Sequence, residues 1–175
     1  MIEQQIKSAI RDIPDFPKEG IIFKDITPIL KNHALCLAIV DEFTHRLKGE
    51  QIDAVAGIES RGFLLGVALA NKLGVPFVPI RKAGKLPHTV KQKMYDLEYG
   101  TATIEMHTDA FESGARVLVH DDLLATGGTV SAASELIQEM GGVVAGYAFI
   151  VDLTFLNGRE KISAMSDNVI VLAEY

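Results

Sequence analysis

Residues 117–129 read VLVHDDLLATGGT. The apolar run at 117–120 has the character of a strand, and Asp121 and Asp122 follow it. Ala125, Thr126, Gly127, Gly128 and Thr129 then lead into apolar positions at Val130, Ala133, Leu136, Ile137 and Met140, which fit the 3.6-residue period of a helix. A strand, a glycine turn and a helix in that order let successive backbone N–H groups face an anion at the positive end of the helix. Thr126 and Thr129 add hydroxyl donors, and Thr129 stands where it could cap the helix. Carboxylates repel a phosphate, so Asp121 and Asp122 suit neighbouring hydroxyls, or a metal ion, a sugar ring's length away. A phosphate cradle beside two hydroxyl acceptors describes a ribose 5-phosphate site. A Walker loop would need Lys after its last glycine, and here Gly128 is followed by Thr129 and Val130; the G-x-G-x-x-G dinucleotide fingerprint is absent. The plainer alternative is a Gly-Gly turn closing an acidic strand end.

Upstream, residues 52–57 (IDAVAG) read as a short buried strand, and Ser60, Arg61 and Gly62 turn it into a glycine- and alanine-rich helix ending near Leu73. That arrangement is a second candidate anion site with Arg61 as its positive fork; an ordinary helix with an exposed Arg is the alternative. Residues 76–81 (PFVPIR) give another strand. Arg81, Lys82, Lys85, His88, Lys91 and Lys93 then crowd a stretch containing Gly84 and Pro87. The stretch 82–94 is expected to be a mobile basic loop, either simply solvated or able to close over phosphates. Residues 95–106 alternate like two strands around Gly100, with Glu98 at the loop's edge.

Downstream, Gly141 and Gly142 end the central helix. Residues 143–151 form a buried strand, 153–161 a short helix or turn, and 169–172 a last strand. At the start, Ile2, Ile6, Ile10 and Ile13 predict an amphipathic helix closed by Pro14. Residues 14–28 hold three prolines and a glycine and predict an ordered loop, whose Ile21, Ile22 and Phe23 are too apolar to be solvated. A helix over 32–48 follows. The repeated β-α-β order predicts an α/β fold: a central, mostly parallel twisted sheet with helices on both faces.

One domain, 1–175, is expected at this length, long enough to bury roughly two-thirds of its unfolded surface. A net charge of −6 argues against nucleic acid as a partner. The single cysteine, Cys36, excludes an internal disulfide and fits a reducing compartment. Met1 leads directly into polar Glu3, Gln4 and Gln5, and no apolar run approaches the roughly 20 residues a membrane span needs. A cytoplasmic protein without membrane association is expected.

The motif at 117–129 resembles the phosphoribosyl diphosphate (PRPP) motif of type I phosphoribosyltransferases, and its DDLLATGGT wording is similar to the adenine branch of that family. The similarity extends from about residue 15 to residue 161; His120 departs from the small apolar residue usual at its position, and Lys24 from an Arg. The resemblance implies transfer of a 5-phosphoribosyl group from PRPP to adenine, giving AMP and diphosphate. It implies that Asp121, Asp122 and Ala125 to Thr129 bind PRPP and AMP, with Arg81 and Lys85 on the diphosphate. Arg61 and Glu98 would be catalytic, Glu98 lying near the base. Residues 14–28 would be a hood over the base, with Phe23 stacking on adenine and Ile22, Lys24 and Leu123 adjoining it. Mg²⁺ would be held by Asp121 and Asp122, directly or through water. A homodimer is implied as well, with Arg81 and Lys82 near the neighbouring subunit. Two other readings share the motif: a phosphoribosyltransferase for another base, and a PRPP-sensing regulator. A regulator would ordinarily carry a DNA-binding module, and no helix-turn-helix follows the first helix.

Overall fold

The structure, a computed structural model, describes residues 1–97 and 100–175. Ile2–Ala9 forms helix α1 and Arg11–Pro14 strand β1, which pairs antiparallel with β2, Ile22–Asp25, so that Ile13 lies opposite Phe23. This corrects two expectations. The first helix stops at Ala9 instead of running to residue 13, and the hood is a two-stranded sheet with a connecting turn instead of a loop. The residue before a proline is steered away from the helical region, so Pro14 turns Ile13 into a strand residue despite its helical spacing. A short 3₁₀ turn, Thr27–Lys31, leads to α2, His33–Arg46, whose first turn is capped by the Asn32 side chain accepting from the Leu35 amide at 3.1 Å.

The remaining elements are β3 (Ala54–Ile58), α3 (Arg61–Leu73), β4 (Phe77–Lys82), β5 (Val90–Asp96), β6 (Thr101–His107), β7 (Arg116–Leu124), α4 (Gly128–Glu139), β8 (Val143–Asp152), α5 (Gly158–Ser163) and β9 (Val169–Glu174). They build a 7-stranded sheet in the order β5-β6-β4-β3-β7-β8-β9. Strands β4, β3, β7, β8 and β9 run parallel, and the β5–β6 hairpin adds antiparallel on β4. The predicted mostly parallel α/β sheet is observed.

Strand alternation divides the interior into two cores. Ala54, Ala56, Val117, Val119, Tyr147 and Phe149 pack with Val130, Ala133, Leu136 and Ile137 of α4. Val55, Leu118, Ala148 and Ile150 pack on the other side with Ile6, Ile39, Phe43 and Leu69 of α1, α2 and α3. His120 belongs to this second side and is fully buried. Its Nδ1 lies 2.8 Å from the carbonyl oxygen of Ala148, its ring meets Phe43 edge-on at 5.7 Å, and Gly66 of α3 leaves room for the imidazole. Burial pushes its pKa down to about 4, against the opposing pull of the Ala148 carbonyl, so the ring is neutral at physiological pH. No helix among the described residues is long and apolar enough to cross a membrane.

The stretch 82–94 is more ordered than a single loop. Lys82 ends β4 and residues 90–94 lie in β5, leaving 83–89 as the connector. Its root is held by Glu105 of β6, which is 1% exposed and accepts from the amides of Lys85 and Leu86, each at 2.8 Å, and from Gln92 Nε2 at 3.0 Å. Burial alone would raise this carboxyl. The amides of Leu86 and Gly84, the Gln92 side chain and the Lys85 amide outweigh it and bring the pKa down to about 2. A depressed carboxylate pKa stabilises the fold above the unfolded value of 4.5, and the effect is lost as pH falls toward about 2. Glu105→Gln should therefore lower unfolding stability at pH 7 by about 1–3 kcal/mol. Urea denaturation at pH 7 and pH 3.5 checks this: the gap to the parent protein should narrow at the lower pH.

Candidate active site

The chain leaves β3 toward β4 on one side and β7 toward β8 on the other, so the carboxyl ends of β3 and β7 flank the point where the sheet order reverses. A crevice outside such a point is where open α/β sheets bind ligands. The turn after β3 brings Arg61, the end of β7 brings Asp121 and Asp122, and the loop before α4 brings residues 125–127. Two further cavities of about 560 Å³ and 430 Å³ lie elsewhere, the larger among the amino ends of the strands beside Asp53, Pro76 and Ala115.

Strand β7 is longer than the run 117–120 suggests: it continues to Leu124, pairing Asp121 with Phe149 and Leu123 with Val151 of β8. The two acids are thus strand residues held in a fixed register. Asp122 is 2% exposed, and its amide donates to Asp121 Oδ1 at 2.8 Å. Arg61 Nε lies 3.1 Å from Asp122 Oδ2, yet that buried oxygen accepts no hydrogen bond among the described residues. Burial, followed by the charge of Asp122, pushes the Asp121 carboxyl well up; burial also raises Asp122, against the pull of Arg61. The pair therefore resists carrying two charges until a donor or cation arrives. Gly62 is what lets α3 approach: a Cβ there would stand 2.8 Å from the carbonyl oxygen of His120 and 3.0 Å from Asp121 Oδ1.

In the loop, Gly127 has φ 75°, the left-handed conformation that glycine adopts without strain. Gly127 is also the N-cap of α4, and no side chain caps that helix. This corrects the expectation for Thr129, whose Oγ1 instead lies 3.0 Å from the Tyr95 hydroxyl. The uncapped first turn leaves backbone N–H groups available to an anion. A Cβ on Gly128 would make ordinary contact with the Asp96 carbonyl oxygen and Lys161 Nζ, each at 3.8 Å, and with Thr126 Oγ1 at 3.9 Å. Beneath the loop, a Cβ on Gly127 would come within 2.7 Å of the Gly158 carbonyl oxygen, and one on Gly158 would overlap that of Ala125.

The β1–β2 hairpin reaches Arg61 from outside the sheet. Phe23 stacks near Arg61, with Cζ 5.5 Å from the ring centroid, and meets Phe16 edge-on at 5.2 Å. Ile21, Ile22, Lys24 and Thr126 line an apolar cavity of about 540 Å³ with Leu153, Phe155 and Tyr175. The Lys24 ammonium is engaged within the protein, with Nζ 2.7 Å from Asp12 and 4.1 Å from the Tyr175 ring. Leu123 packs on the α2–α3 core. Arg81 is engaged by Glu59 at 3.1 Å and by the Lys85 carbonyl oxygen at 3.1 Å, and the Lys85 side chain is exposed. Glu98, the other catalytic candidate, lies outside the described residues.

Sequence reasoning passed over Tyr95, Glu59, Lys161 and Tyr175. Only Tyr95 left a trace, as an aromatic in an alternating strand two residues from Lys93; the others acquire neighbours solely through tertiary packing.

The family model described as phosphoribosyl transferase domain matches residues 27–169. The adenine phosphoribosyltransferase of Cytophaga hutchinsonii is 52% identical over 175 residues, covering 100% of this chain and 97% of its own. The crystal structure of adenine phosphoribosyltransferase from Thermoanaerobacter pseudethanolicus superposes with a TM-score of 0.95 at 46% identity, covering 100% of both chains. That of the Saccharomyces cerevisiae enzyme, complexed with an imino-altritol bisphosphate and adenine, gives 0.92 at 40% identity over 98% of each. The chain belongs to the phosphoribosyltransferase family. Within it, its relatives here are adenine phosphoribosyltransferases.

Because Gly158 abuts Ala125 with no room for a side chain, Gly158→Ala should shift the loop and cost about 1–3 kcal/mol of stability. Thermal unfolding of the variant beside the parent tests it.

Proposed function

We propose that this protein transfers the 5-phosphoribosyl group of PRPP to adenine, yielding AMP and diphosphate, a purine-salvage reaction. The observation that carries the reading is the pair of half-buried Asp121 and buried Asp122 set directly ahead of an uncapped helix N-terminus and beside an apolar cavity. Relatives of about half identity over 91–100% of the chain bear the corresponding name.

Breaking the C1–O bond to diphosphate leaves positive charge on the ribose ring, as in glycoside hydrolysis. Residues 125–129 anchor the 5-phosphate, and this fixed end orients C1 toward the base. Asp121 and Asp122 take the 2- and 3-hydroxyls, and the hydroxyl hydrogens fill the acceptor that Asp122 Oδ2 leaves open. Their negative charge favours the cationic ring. Arg61 neutralises the departing diphosphate, joined by Lys85 and by Arg81 once Arg81 exchanges Glu59 for it. Phe23 and Ile22 border adenine, Leu123 backs the site, and Glu98 manages a proton on the purine. Two adjacent carboxylates with an unfilled acceptor fit Mg²⁺, which carries few protein ligands and completes its shell with substrate oxygens and water. Bound by Asp121 and Asp122, Mg²⁺ would supply positive charge to the diphosphate.

We also propose a homodimer: Leu64 and Val67 of α3, 47% and 44% exposed, are suited to a second copy, and analytical ultracentrifugation would test it. The free thiol of Cys36 suits the cytoplasm.

Diphosphate release from PRPP and Mg²⁺ with adenine, hypoxanthine, guanine, xanthine or uracil is the direct test. Release with adenine alone is expected; release with another base instead would move the base assignment. Asp122→Asn should lose most turnover while remaining folded, read by steady-state kinetics beside circular dichroism. Glu98→Ala should lower kcat more than it raises KM for PRPP; an equal loss of PRPP affinity would make Glu98 a structural residue.

A further inference from the structure

Strand β5 lies along α4 with its alternate residues turned to the helix. Lys91 Nζ is 3.9 Å from Glu139, Lys93 Nζ is 2.6 Å from Glu139 and 2.7 Å from Glu135, and the Tyr95 hydroxyl is 3.0 Å from Thr129 Oγ1. The strand therefore runs from the carboxyl end of α4 to its amino end. The lengths agree: four strand steps from 91 to 95 span about 13 Å, and ten helix steps from 139 to 129 about 15 Å. Two ion-paired lysines thus deliver a phenol to the first turn of the helix beside the candidate phosphate cradle.

We infer that Tyr95 is a positioning residue for the 5-phosphate, acting through the Thr129 hydroxyl; the inference rests on the phosphate role proposed above for residues 125–129. A threonine hydroxyl has one proton, and a phosphate dianion only accepts hydrogen bonds. With phosphate in the cradle, Thr129 must donate to it, so the Tyr95 O–H must donate to Thr129 Oγ1. The resulting chain, phenol to hydroxyl to phosphate, points the threonine proton at the ligand and polarises it. Without the phenol, Thr129 is free to rotate toward another acceptor. Tyr95 is half-buried and packs on the α4-side core, so its ring holds its place without the hydroxyl group.

Tyr95→Phe keeps the ring and removes that donor. AMP affinity should fall about fivefold, the effect of one ordinary hydrogen bond, while adenosine, which lacks the phosphate, should bind as to the parent protein. KM for PRPP should rise by a similar factor with kcat within about twofold. Thr129→Val should weaken AMP binding itself, and adding Tyr95→Phe to it should change nothing further. Isothermal titration with AMP and adenosine, run on the single and double variants, reads all of this. Unchanged AMP affinity in Tyr95→Phe, equal losses for AMP and adenosine, or a full effect persisting beside Thr129→Val would each overturn the inference. Should Tyr95→Phe fail to fold, Thr129→Ser decides in its place: it retains the hydroxyl and should bind AMP like the parent, and a loss as large as that of Thr129→Val would overturn the role of the hydroxyl pair. Failure of the underlying phosphate reading looks different: the parent protein would then bind AMP no better than adenosine.

Discussion

Two consecutive aspartates at the end of a buried strand pose an electrostatic problem around which the surrounding structure is built. Each carboxylate loses hydration, each opposes the charge of the other, and among the described residues Arg61 alone supplies a compensating charge at close range. Their positions are fixed nonetheless. Pairing with β8 holds the strand extended through Leu124, and Gly62 brings the first turn of α3 against its backbone. Arg61 is in turn backed by the Phe23 ring, so that the acid pair and the hood share one cation. A site arranged this way keeps its strongest attraction for a partner that brings hydroxyl donors or positive charge, which is what a ribose ring about to become cationic provides.

Around this centre the molecule separates a rigid interior from a shell tied down by polar contacts. The parallel strands and their helices are closed by apolar packing on both faces. The β1–β2 hairpin is fastened by charge and aromatic contacts, Lys24 to Asp12 and Tyr175, and strand β5, at the edge of the sheet, adds ion pairs from Lys93 to Glu135 and Glu139 to its ladder with β6. Exposed ion pairs of this kind are individually weak. A β1–β2 hairpin fastened so lightly can move to admit a substrate while the carboxyl edge of the sheet stays in place.

Much of this was legible in residues 117–129, because the side-chain types there leave little freedom: glycines for a tight turn, hydroxyls and amides for an anion, acids for sugar hydroxyls. What could not be read depended on partners distant in sequence. Aspartate is a poor strand former, so nothing local says that β7 runs through Asp121 and Asp122 until β8 is placed beside it. The isoleucines of the first thirteen residues fit a helical stripe, and the hairpin that claims Ile13 exists only once Phe23 is opposite. Lys91 and Lys93 suggested a phosphate-closing loop because their charge was visible and the glutamates of α4 facing them were not. Thr129 looked like a cap for the same reason, Tyr95 being thirty-four positions away.

The contact between Gly127 and Gly158 has a consequence for descent and for engineering. The two positions lie on separate segments of the chain: the Gly158 backbone fills the space a side chain on Gly127 would need, and the carbonyl of Ala125, two residues before Gly127, fills the space a side chain on Gly158 would need. Neither can drift alone. A side chain at either position would force the backbone of the facing segment to shift, so the loop and the start of α5 are constrained as one unit. The same applies to transplantation: moving residues 125–129 onto another α/β scaffold would carry the wording of the motif without its floor, and the recipient would need a glycine-bearing turn beneath it before the graft could take its shape.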